Sequence, residues 1–350
     1  MAYTPIDKGE NFFNSKLYTG TGSSNAQTGI GFRPDWVWLK CRSGDKHNNL
    51  YDVIRGATKE IYSNLTNDED TDAQSLKSFN SDGFTVGTGA DQNENNATYV
   101  AWNWKAGTTS GITTTNSTIT PAGYSFNQTS GFSIIKYPGN GTNDAKCPHG
   151  LGVAPKMIMI KDLGVSANWE VYHEGIGNTK VLHLNTAGAE ETTSARWRNT
   201  SPDSVNWTMG STDSVNGSGN NYIAYCFADV KGYSKFGVYA GNNSSTGGFH
   251  YTGFKPAFII IKRTDSAADW RTYDDKRFRA GGPNNKFNYL QANGDNGEAD
   301  SDSGGAWDML SNGFKFYTSD AAINGGGTYI YMAFAKNPFV ASNFNAATAR

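Results

Sequence analysis

Three stretches of the chain share one pattern of apolar and polar positions. Residues 31–40, 152–161 and 253–262 each read glycine, an apolar residue, any residue, proline, any residue, four apolar residues and lysine. An apolar run this short is typical of a strand that is buried on both faces. Proline suits the first position of such a strand because it has no N–H to donate to the ladder. We therefore predict a central strand after each proline, and we expect the lysine to end it at water.

Further strands are predicted around these three. Apolar runs at 98–104, 221–227 and 328–334 resemble one another, and alternating or glycine-bounded segments lie at 83–87, 169–173, 270–274 and 313–317. Alternation with period two is the pattern of a half-buried strand. Each hundred residues thus holds several short strands.

These elements recur in a fixed order, which indicates an internal repeat. Measured from Pro34, Pro155 and Pro256, a lysine lies six residues later and a tyrosine seventeen residues later in all three copies. Those tyrosines are Tyr51, Tyr172 and Tyr273, and their recurrence predicts a structural role. The sequence predicts three homologous domains.

The landmarks also predict the boundaries. The predicted domains are 12–107, 132–231 and 232–340, preceded by an attachment segment at 1–11 and followed by a tail at 341–350. Residues 108–131 form a connector rich in Thr, Ser and Gly. Two alternatives stay open for it: a flexible linker, or an additional strand from its segment 112–120.

Composition supports an all-β fold. Glycine is abundant at 41 residues, aromatic residues make up 13% and charged residues only 18%, which favours strands and tight turns over long helices. The number and spacing of the strands predict three tandem β-sandwich or jelly-roll domains.

Charge argues against two classes of function. Lys and Arg number 30 against 32 Asp and Glu, whereas nucleic-acid and acidic-membrane binders need clustered positive charge. No apolar run is long enough to span a bilayer, and the first residues lack the pattern of a signal peptide. Three cysteines without metal-like spacing are interpreted as free thiols of a protein made in a reducing cytoplasm.

Candidate chemistry is sparse. No nucleophile, zinc-protease or phosphate-loop motif is present, and neither histidines nor cysteines recur in equivalent positions, so we expect no enzyme. Acidic clusters at 67–74, 189–195 and 295–305 allow three interpretations: solvated loops, a calcium site, or paired catalytic carboxylates. The calcium ligands would be Asp68, Asp70 and Asp72, or Asp295, Asp300 and Asp302. No other cofactor is expected.

Two tryptophans are the candidate ligand-binding residues. Trp169 and Trp270 both lie fourteen residues after their prolines, where the first repeat has Asn48. An exposed tryptophan is a platform for a sugar ring, but a tryptophan on a half-buried strand also belongs naturally to a core. Both alternatives remain open at the level of sequence.

The order of motifs in the first repeat, "LYTGTG…GFRPDWVWLKCRS…LYDVIRGATKEIYSN…SFNSDGFTVG…TYVAWNWKAG", resembles a repeat domain of structural proteins from marine tailed phages of the cyanophage type. The ending "AFAKNPFV…TAR" is similar to the close of those proteins. The resemblance covers most of the chain and weakens in the second and third repeats. It implies a virion component, such as a tail fibre or other host-facing appendage, with a concanavalin A-like, lectin-like sandwich fold and no catalytic residues.

The resulting hypothesis is a non-enzymatic virion protein that is made in the host cytoplasm and binds a host cell-surface glycan or outer-membrane component. Its other partners would be further virion proteins and copies of itself, with neither nucleic acid nor membrane insertion. Two alternatives are a capsid decoration or head-fibre protein, and a polysaccharide-degrading tailspike. Several weak sites on one particle would give avidity.

Overall fold

The computed structural model describes residues 4–279, 286–299 and 307–340. Within them the chain is built almost entirely of antiparallel strands, as predicted. The first repeat follows a short 3₁₀ turn at Gly9–Asn11 and contains one short helix, α1 (Ala90–Asn93). Its strands are β1 (Phe13–Thr19), β2 (Asn25–Gln27), β3 (Trp36–Cys41), β4 (Asn48–Asp52), β5 (Lys59–Tyr62), β6 (Asp70–Thr71), β7 (Leu76–Asn80), β8 (Gly83–Val86) and β9 (Thr98–Trp104).

The second repeat has the same order of elements, except that it gains a first strand and lacks an equivalent of β7, and it again has one short helix, α2 (Asp213–Asn216). Its strands are β10 (Gly123–Asn127), β11 (Phe132–Pro138), β12 (Ala145–Pro148), β13 (Met157–Asp162), β14 (Glu170–His173), β15 (Lys180–His183), β16 (Glu191–Thr192), β17 (Asn206–Met209) and β18 (Asn221–Phe227).

The third repeat keeps the central strands and departs mainly in its middle loops. Its described strands are β19 (Ser234–Ala240), β20 (Phe249–Tyr251), β21 (Phe254–Arg263), β22 (Arg271–Asp274), β23 (Phe278–Arg279), β24 (Lys286–Phe287), β25 (Leu290–Gln291), β26 (Trp307–Leu310), β27 (Gly313–Phe316) and β28 (Thr328–Pro338).

Each repeat is a sandwich of a large sheet and a small one. The large sheets have the orders β1-β9-β3-β4-β5-β6, β10-β11-β18-β13-β14-β15-β16 and β19-β28-β21-β22-β25. The small sheets are β2-β8-β7, β12-β17 and β20-β27-β26. In every large sheet the strand at the recurrent proline pairs with the last long strand of its repeat, as in Trp36↔Trp104, Met157↔Phe227 and Phe258↔Phe334. In the third repeat that strand, β21, begins before the proline and contains it.

The central strand of the first repeat, β3, is buried on both faces because each face belongs to a different core. Val37 and Leu39 of β3 pack in the sandwich core of the first repeat, together with Phe84 of the small sheet. Trp36 and Trp38, on the opposite face, belong to a second core to which all three repeats contribute. Residues i and i+2 share a face of a strand, so the four-residue apolar run serves both cores.

Aromatic rings from all three repeats meet in this shared core. The ring centroid of Trp36 lies 4.3 Å from that of Trp104 in its own repeat and 4.5 Å from that of Tyr225 in the second repeat. Phe334 of the third repeat lies 5.6 Å from Trp104 and 6.0 Å from Phe227. These separations are typical of favourable aromatic pairs. The large sheets therefore face one another, and the small sheets lie on the outside.

The expectation that the repeated lysine reaches water is wrong in all three copies. Lys40, Lys161 and Lys262 are completely buried, and burial lowers the pKa of each ammonium to about 8. Each ammonium donates to backbone carbonyls instead of water. Lys40 reaches the carbonyl of Asp295 in the third repeat at 2.6 Å, and Lys262 reaches that of Ala187 in the second at 3.2 Å.

The connector belongs structurally to the second repeat. Its strand is β10, at 123–127, and not the predicted segment 112–120, which has no strand. The N–H of Ile119 donates to the carbonyl of Lys146, and Ile119 is buried in the sandwich core of the second repeat. The alternative of a strand formed by 112–120 is therefore wrong, and the strand that the connector does add, β10, lies just after that segment.

Cys41, Cys147 and Cys226 are buried and form no disulfide, as the sequence predicts. No helix within the described ranges is long and apolar enough to cross a membrane.

Candidate functional site at the junctions between repeats

Trp169 and Trp270 lie at junctions between repeats and not on the surface. Both side chains are at most 1% exposed. The indole N–H of Trp169 donates to the carbonyl of Tyr62 in the first repeat at 2.8 Å, and that of Trp270 to the carbonyl of His183 in the second at 3.0 Å. A sugar platform needs an exposed ring face, and neither ring has one. The core alternative is therefore correct, and the ligand-binding hypothesis is wrong for both residues.

Asn48, at the same position of the first repeat, makes the equivalent contact. Its amide donates to the carbonyls of Gln291 and Gly294 in the third repeat at 3.1 and 2.7 Å. Each repeat therefore contacts the preceding one through this position, and the first repeat closes the cycle by contacting the third.

Asp68, Asp70 and Asp72, predicted as calcium ligands, form no metal-binding group. Asp68 and Asp70 are exposed, and a carboxylate oxygen of Asp72 accepts the backbone N–H of Gln74 at 2.7 Å. No group of three or more acidic, histidine or cysteine side chains in the described parts of the chain is arranged to hold a metal ion. Asp295 is exposed, while Asp300 and Asp302 lie outside the described residues. The Asp68, Asp70 and Asp72 hypothesis is wrong, because these residues lie on and beside the exposed strand β6 and form no such group.

A buried ion pair of the first repeat lies at its junction with the second. Asp52 and Arg55 are both fully buried, with Oδ2 of Asp52 2.5 Å from Nε of Arg55. The same oxygen accepts the hydroxyl of Tyr225 in the second repeat at 2.8 Å. The other carboxylate oxygen accepts the N–H groups of Ile54 and Arg55. A buried charge needs such complete pairing, because an unpaired one is costly in a medium of low polarity.

The junction between the third and first repeats repeats this arrangement. Asp274 and Arg277 are fully buried, 2.6 Å apart, and Asp274 accepts the indole N–H of Trp102 in the first repeat at 2.9 Å. Trp102 and Tyr225 are equivalent, since they pair with the equivalent residues Trp38 and Met159 of the central strands. Two of the three junctions are thus held by the same buried Asp–Arg pair.

The junction between the second and third repeats lacks the pair. His173 occupies the aspartate position and Ile176 the arginine position. Nδ1 of His173 accepts the N–H of Gly175 at 3.0 Å, and Nε2 lies 3.3 Å from the carbonyl of Tyr331 in the third repeat. This arrangement requires the neutral ring with its proton on Nε2. Burial accordingly lowers the pKa of His173 to about 4.

His149 is a second buried neutral histidine, and its pKa is also lowered to about 4 by burial. In the unfolded chain both rings have a pKa near 6.5. Stability from these rings is fully present above pH 6.5 and is lost as the pH falls towards 4, because the unfolded chain then binds more protons. The loss approaches about 3 kcal/mol per ring.

We therefore expect the free energy of unfolding, measured by denaturant titration, to fall between pH 7 and pH 4.5. A variant with both His149→Gln and His173→Gln is the control, since glutamine also donates and accepts but does not titrate. The fall should be smaller in the variant than in the wild type. Equal falls in the two proteins would show that these histidines do not titrate as described.

A cleft opens at the same junction. It has a volume of about 420 Å³ and lies between Gly175, Ile176, Lys180 and Glu190 of the second repeat and β19, Thr264 and the start of β28 in the third. Glu190 forms an ion pair with Lys180. The equivalent carboxylate in the first repeat, Glu69, pairs with Lys59 and also with the guanidinium of Arg55, each at 3.5 Å. The second repeat has Ile176 in place of Arg55, so the cleft lies at the junction that has one cation fewer.

Sequence reasoning missed these junction residues although a signal existed. The residues eighteen and twenty-one positions after each proline are Asp52 and Arg55, His173 and Ile176, and Asp274 and Arg277. An Asp-x-x-Arg motif recurs in the first and third repeats and is absent from the second. Its recurrence indicates a contact that the first and third repeats share and the second lacks. The partners, such as Tyr225, come from another repeat, so no local pattern identifies them.

A family model described as "Domain of unknown function (DUF7483)" matches residues 8–338. The match spans all three repeats and the connector as one unit. No curated protein and no solved structure is significantly similar to the chain.

Proposed function

The chain belongs to the DUF7483 family, and we propose that it is a non-enzymatic structural protein of a bacteriophage virion, in a tail fibre or similar appendage. The observation that carries the proposal is the resemblance of the first repeat, in motif order, to the repeat domain of marine tailed-phage structural proteins. The protein would be made in the host cytoplasm and assembled with other virion proteins.

The cyclic junctions support a structural role. Each repeat contributes one face of its large sheet to the shared core and contacts both other repeats through buried polar groups. Such an arrangement resists movement of one repeat relative to another, because a shift would break the hydrogen bonds that Tyr225, Trp102 and His173 make with buried groups of a neighbouring repeat. A rigid body is suited to holding binding loops in fixed relative positions.

Contact with a glycan is proposed for the outer surface of the third repeat. Phe249 and Tyr251 of β20 are 45% and 55% exposed, and they lie on the same face of the strand because they are two residues apart. Exposed aromatic rings are the groups on which sugar rings stack. These two residues replace Trp169 and Trp270 as the candidate platform.

The Phe249→Ala/Tyr251→Ala variant tests this part of the proposal. We expect at least tenfold weaker binding to purified host surface polysaccharide, with the thermal midpoint of unfolding changed little because both rings are exposed. Val153→Ala, at another exposed apolar residue (52% exposed), is the control and should bind as the wild type does. Unchanged binding in the double variant would remove Phe249 and Tyr251 from the proposal.

Location and copy number on the purified particle test the virion assignment. Immunogold labelling with quantitative mass spectrometry should find the protein at the tail in about a dozen copies. Tens to hundreds of copies over the head would instead establish a capsid decoration protein. Absence from the particle would refute the virion assignment, and release of reducing ends from host polysaccharide would refute the non-enzymatic one.

A further inference from the structure

We infer that the free edge of β19, together with the cleft between the second and third repeats, binds an extended segment of another polypeptide, which adds to the sheet as an antiparallel strand. The inference follows from comparing this junction with the one between the first and second repeats. It rests on the fold alone and stands whether or not the virion assignment is correct.

The chain itself shows how such an edge is covered. In the second repeat the strand equivalent to β19 is β11, and β10 from the connector pairs with it over its whole length, from Gly123↔Lys136 to Asn127↔Phe132. The N–H of Ala122 continues the ladder by donating to the carbonyl of Lys136 at 2.7 Å. In the third repeat β19 is the outermost strand of its sheet.

The uncovered positions of β19 are Val238 and Ala240. The carbonyl of Tyr233 accepts the N–H of Ala335, and the N–H of Gly241 donates to the carbonyl of Gly327. These bonds turn the odd-numbered residues towards β28, and the alternation of an antiparallel ladder turns the intervening even-numbered residues to the free edge. Val230 and Asp229 bind the edge at Ser234 and Phe236. No backbone hydrogen bond from the described parts of the chain reaches the outer edge at Val238 or Ala240.

The cleft borders this uncovered stretch of the edge, since Val238 and Ala240 line it. Val238 is the equivalent of Lys136, because each pairs with the equivalent residue of the last strand, Ile330 and Ile223. A Cβ on Gly123 would lie 3.0 Å from Ile54. The equivalent of Ile54 in the second repeat is Gly175, which borders the cleft. The connector residues 121–123, of sequence Pro-Ala-Gly, thus lie along the edge that is equivalent to the edge at Val238.

The geometry also indicates the chemistry of the bound segment. Lys180 and Glu190 line the cleft beside the hydroxyls of Thr264 and Thr328, whereas Val238 is 57% exposed. A strand bound at this edge directs every second side chain towards these four polar residues. Its affinity comes from main-chain hydrogen bonds to the edge of β19. Small residues opposite Val238, as in Pro-Ala-Gly, avoid a clash with Ile176, which also lines the cleft.

The probe is a synthetic peptide with the sequence of residues 119–127, ITPAGYSFN, labelled for fluorescence anisotropy and titrated with the full-length protein. We expect saturable binding below about 1 mM and at least tenfold weaker binding to the Val238→Pro and Ala240→Pro variants, which lack an outward N–H but keep the ladder to β28. Val238→Thr, which keeps the N–H, should bind as the wild type does. A peptide with proline at the alanine should bind at least tenfold more weakly.

Several outcomes would overturn the inference. These are no saturable binding to the wild type, equal binding to both proline variants while they retain the wild-type thermal midpoint, or a protein dimer in sedimentation that disappears in Val238→Pro. The last result would show that a second copy of the chain, through its own edge, occupies the site. Loss of peptide binding in both proline variants, each with an unchanged thermal midpoint, supports the inference.

Discussion

Replacing Asp52 by alanine is expected to lower the free energy of unfolding by about 3–5 kcal/mol, because it leaves the fully buried guanidinium of Arg55 with only the more distant carboxylate of Glu69, at 3.5 Å. The substitution removes the ion pair with Arg55, the acceptor for the hydroxyl of Tyr225 and the cap of two backbone N–H groups. The loss would be measured by denaturant titration at neutral pH. Few domains tolerate a loss of this size without partial unfolding.

Two further variants make this result specific. Glu94→Ala removes an exposed ion pair with Lys46, in which Glu94 is 53% exposed, and should cost less than about 1 kcal/mol. Tyr225→Phe removes only the hydrogen bond between repeats and should cost about 2 kcal/mol. In the Asp52→Ala background the same change should cost much less, because its acceptor is already gone. Additive losses would show that Asp52 and Tyr225 are not coupled.

The second repeat expressed alone, as residues 108–231, is not expected to remain a folded monomer. Its sandwich core is complete, but the inner face of its large sheet would be exposed. Met157, Met159, Tyr225 and Phe227 on that face are at most 1% exposed in the whole chain. Burying one such side chain stabilises a fold by about 1.5–3 kcal/mol, so their joint exposure favours self-association or unfolding. Size-exclusion chromatography and circular dichroism would show either result.

A fragment in which threonine replaces all four residues is the control. Threonine suits a strand and removes the apolar face, so this fragment should be monomeric and more soluble than the wild-type one. In the full-length chain the same four substitutions should instead prevent folding. A wild-type fragment that is monomeric and unfolds cooperatively would contradict the account of a shared core.

The strands were predictable because their signal is local. The runs at 98–104 and 221–227 coincide with β9 and β18 at both ends, since pattern and turn residues lie within the strand itself. The number of repeats can be predicted from the sequence in the same way. Neither prediction requires knowledge of what covers each face of a sheet.

The junctions were not predictable for the opposite reason. An apolar run such as that of β13 shows that both faces are buried, but not whether another sheet of the same repeat or another repeat covers them. Lys40 was predicted to reach water because lysine is rarely fully buried. Its acceptors are backbone carbonyls of its own loop and of the third repeat, and backbone acceptors have no sequence signature. The sequence pattern leaves open whether Trp169 is buried or exposed, because its carbonyl acceptor lies in the first repeat.

The contacts at the junctions separate the features that recur between repeats from those that differ. The buried Asp–Arg pair is present at two junctions and absent at the third, where Ile176 borders the cleft. Function more often resides where copies of a repeat differ than where they agree. The cleft, the free edge of β19 and the exposed rings of β20 all lie in the third repeat or at its junction with the second, so binding is expected there.

Differential scanning calorimetry of the full-length chain tests the shared core most directly. The account predicts one transition whose van't Hoff enthalpy approaches the calorimetric enthalpy of the whole chain, about 240 kcal/mol for roughly 350 cooperating residues near 60 °C. Three separable transitions, each with a van't Hoff enthalpy near 70 kcal/mol as for a domain of about 100 residues, would show that the repeats fold independently and would contradict it.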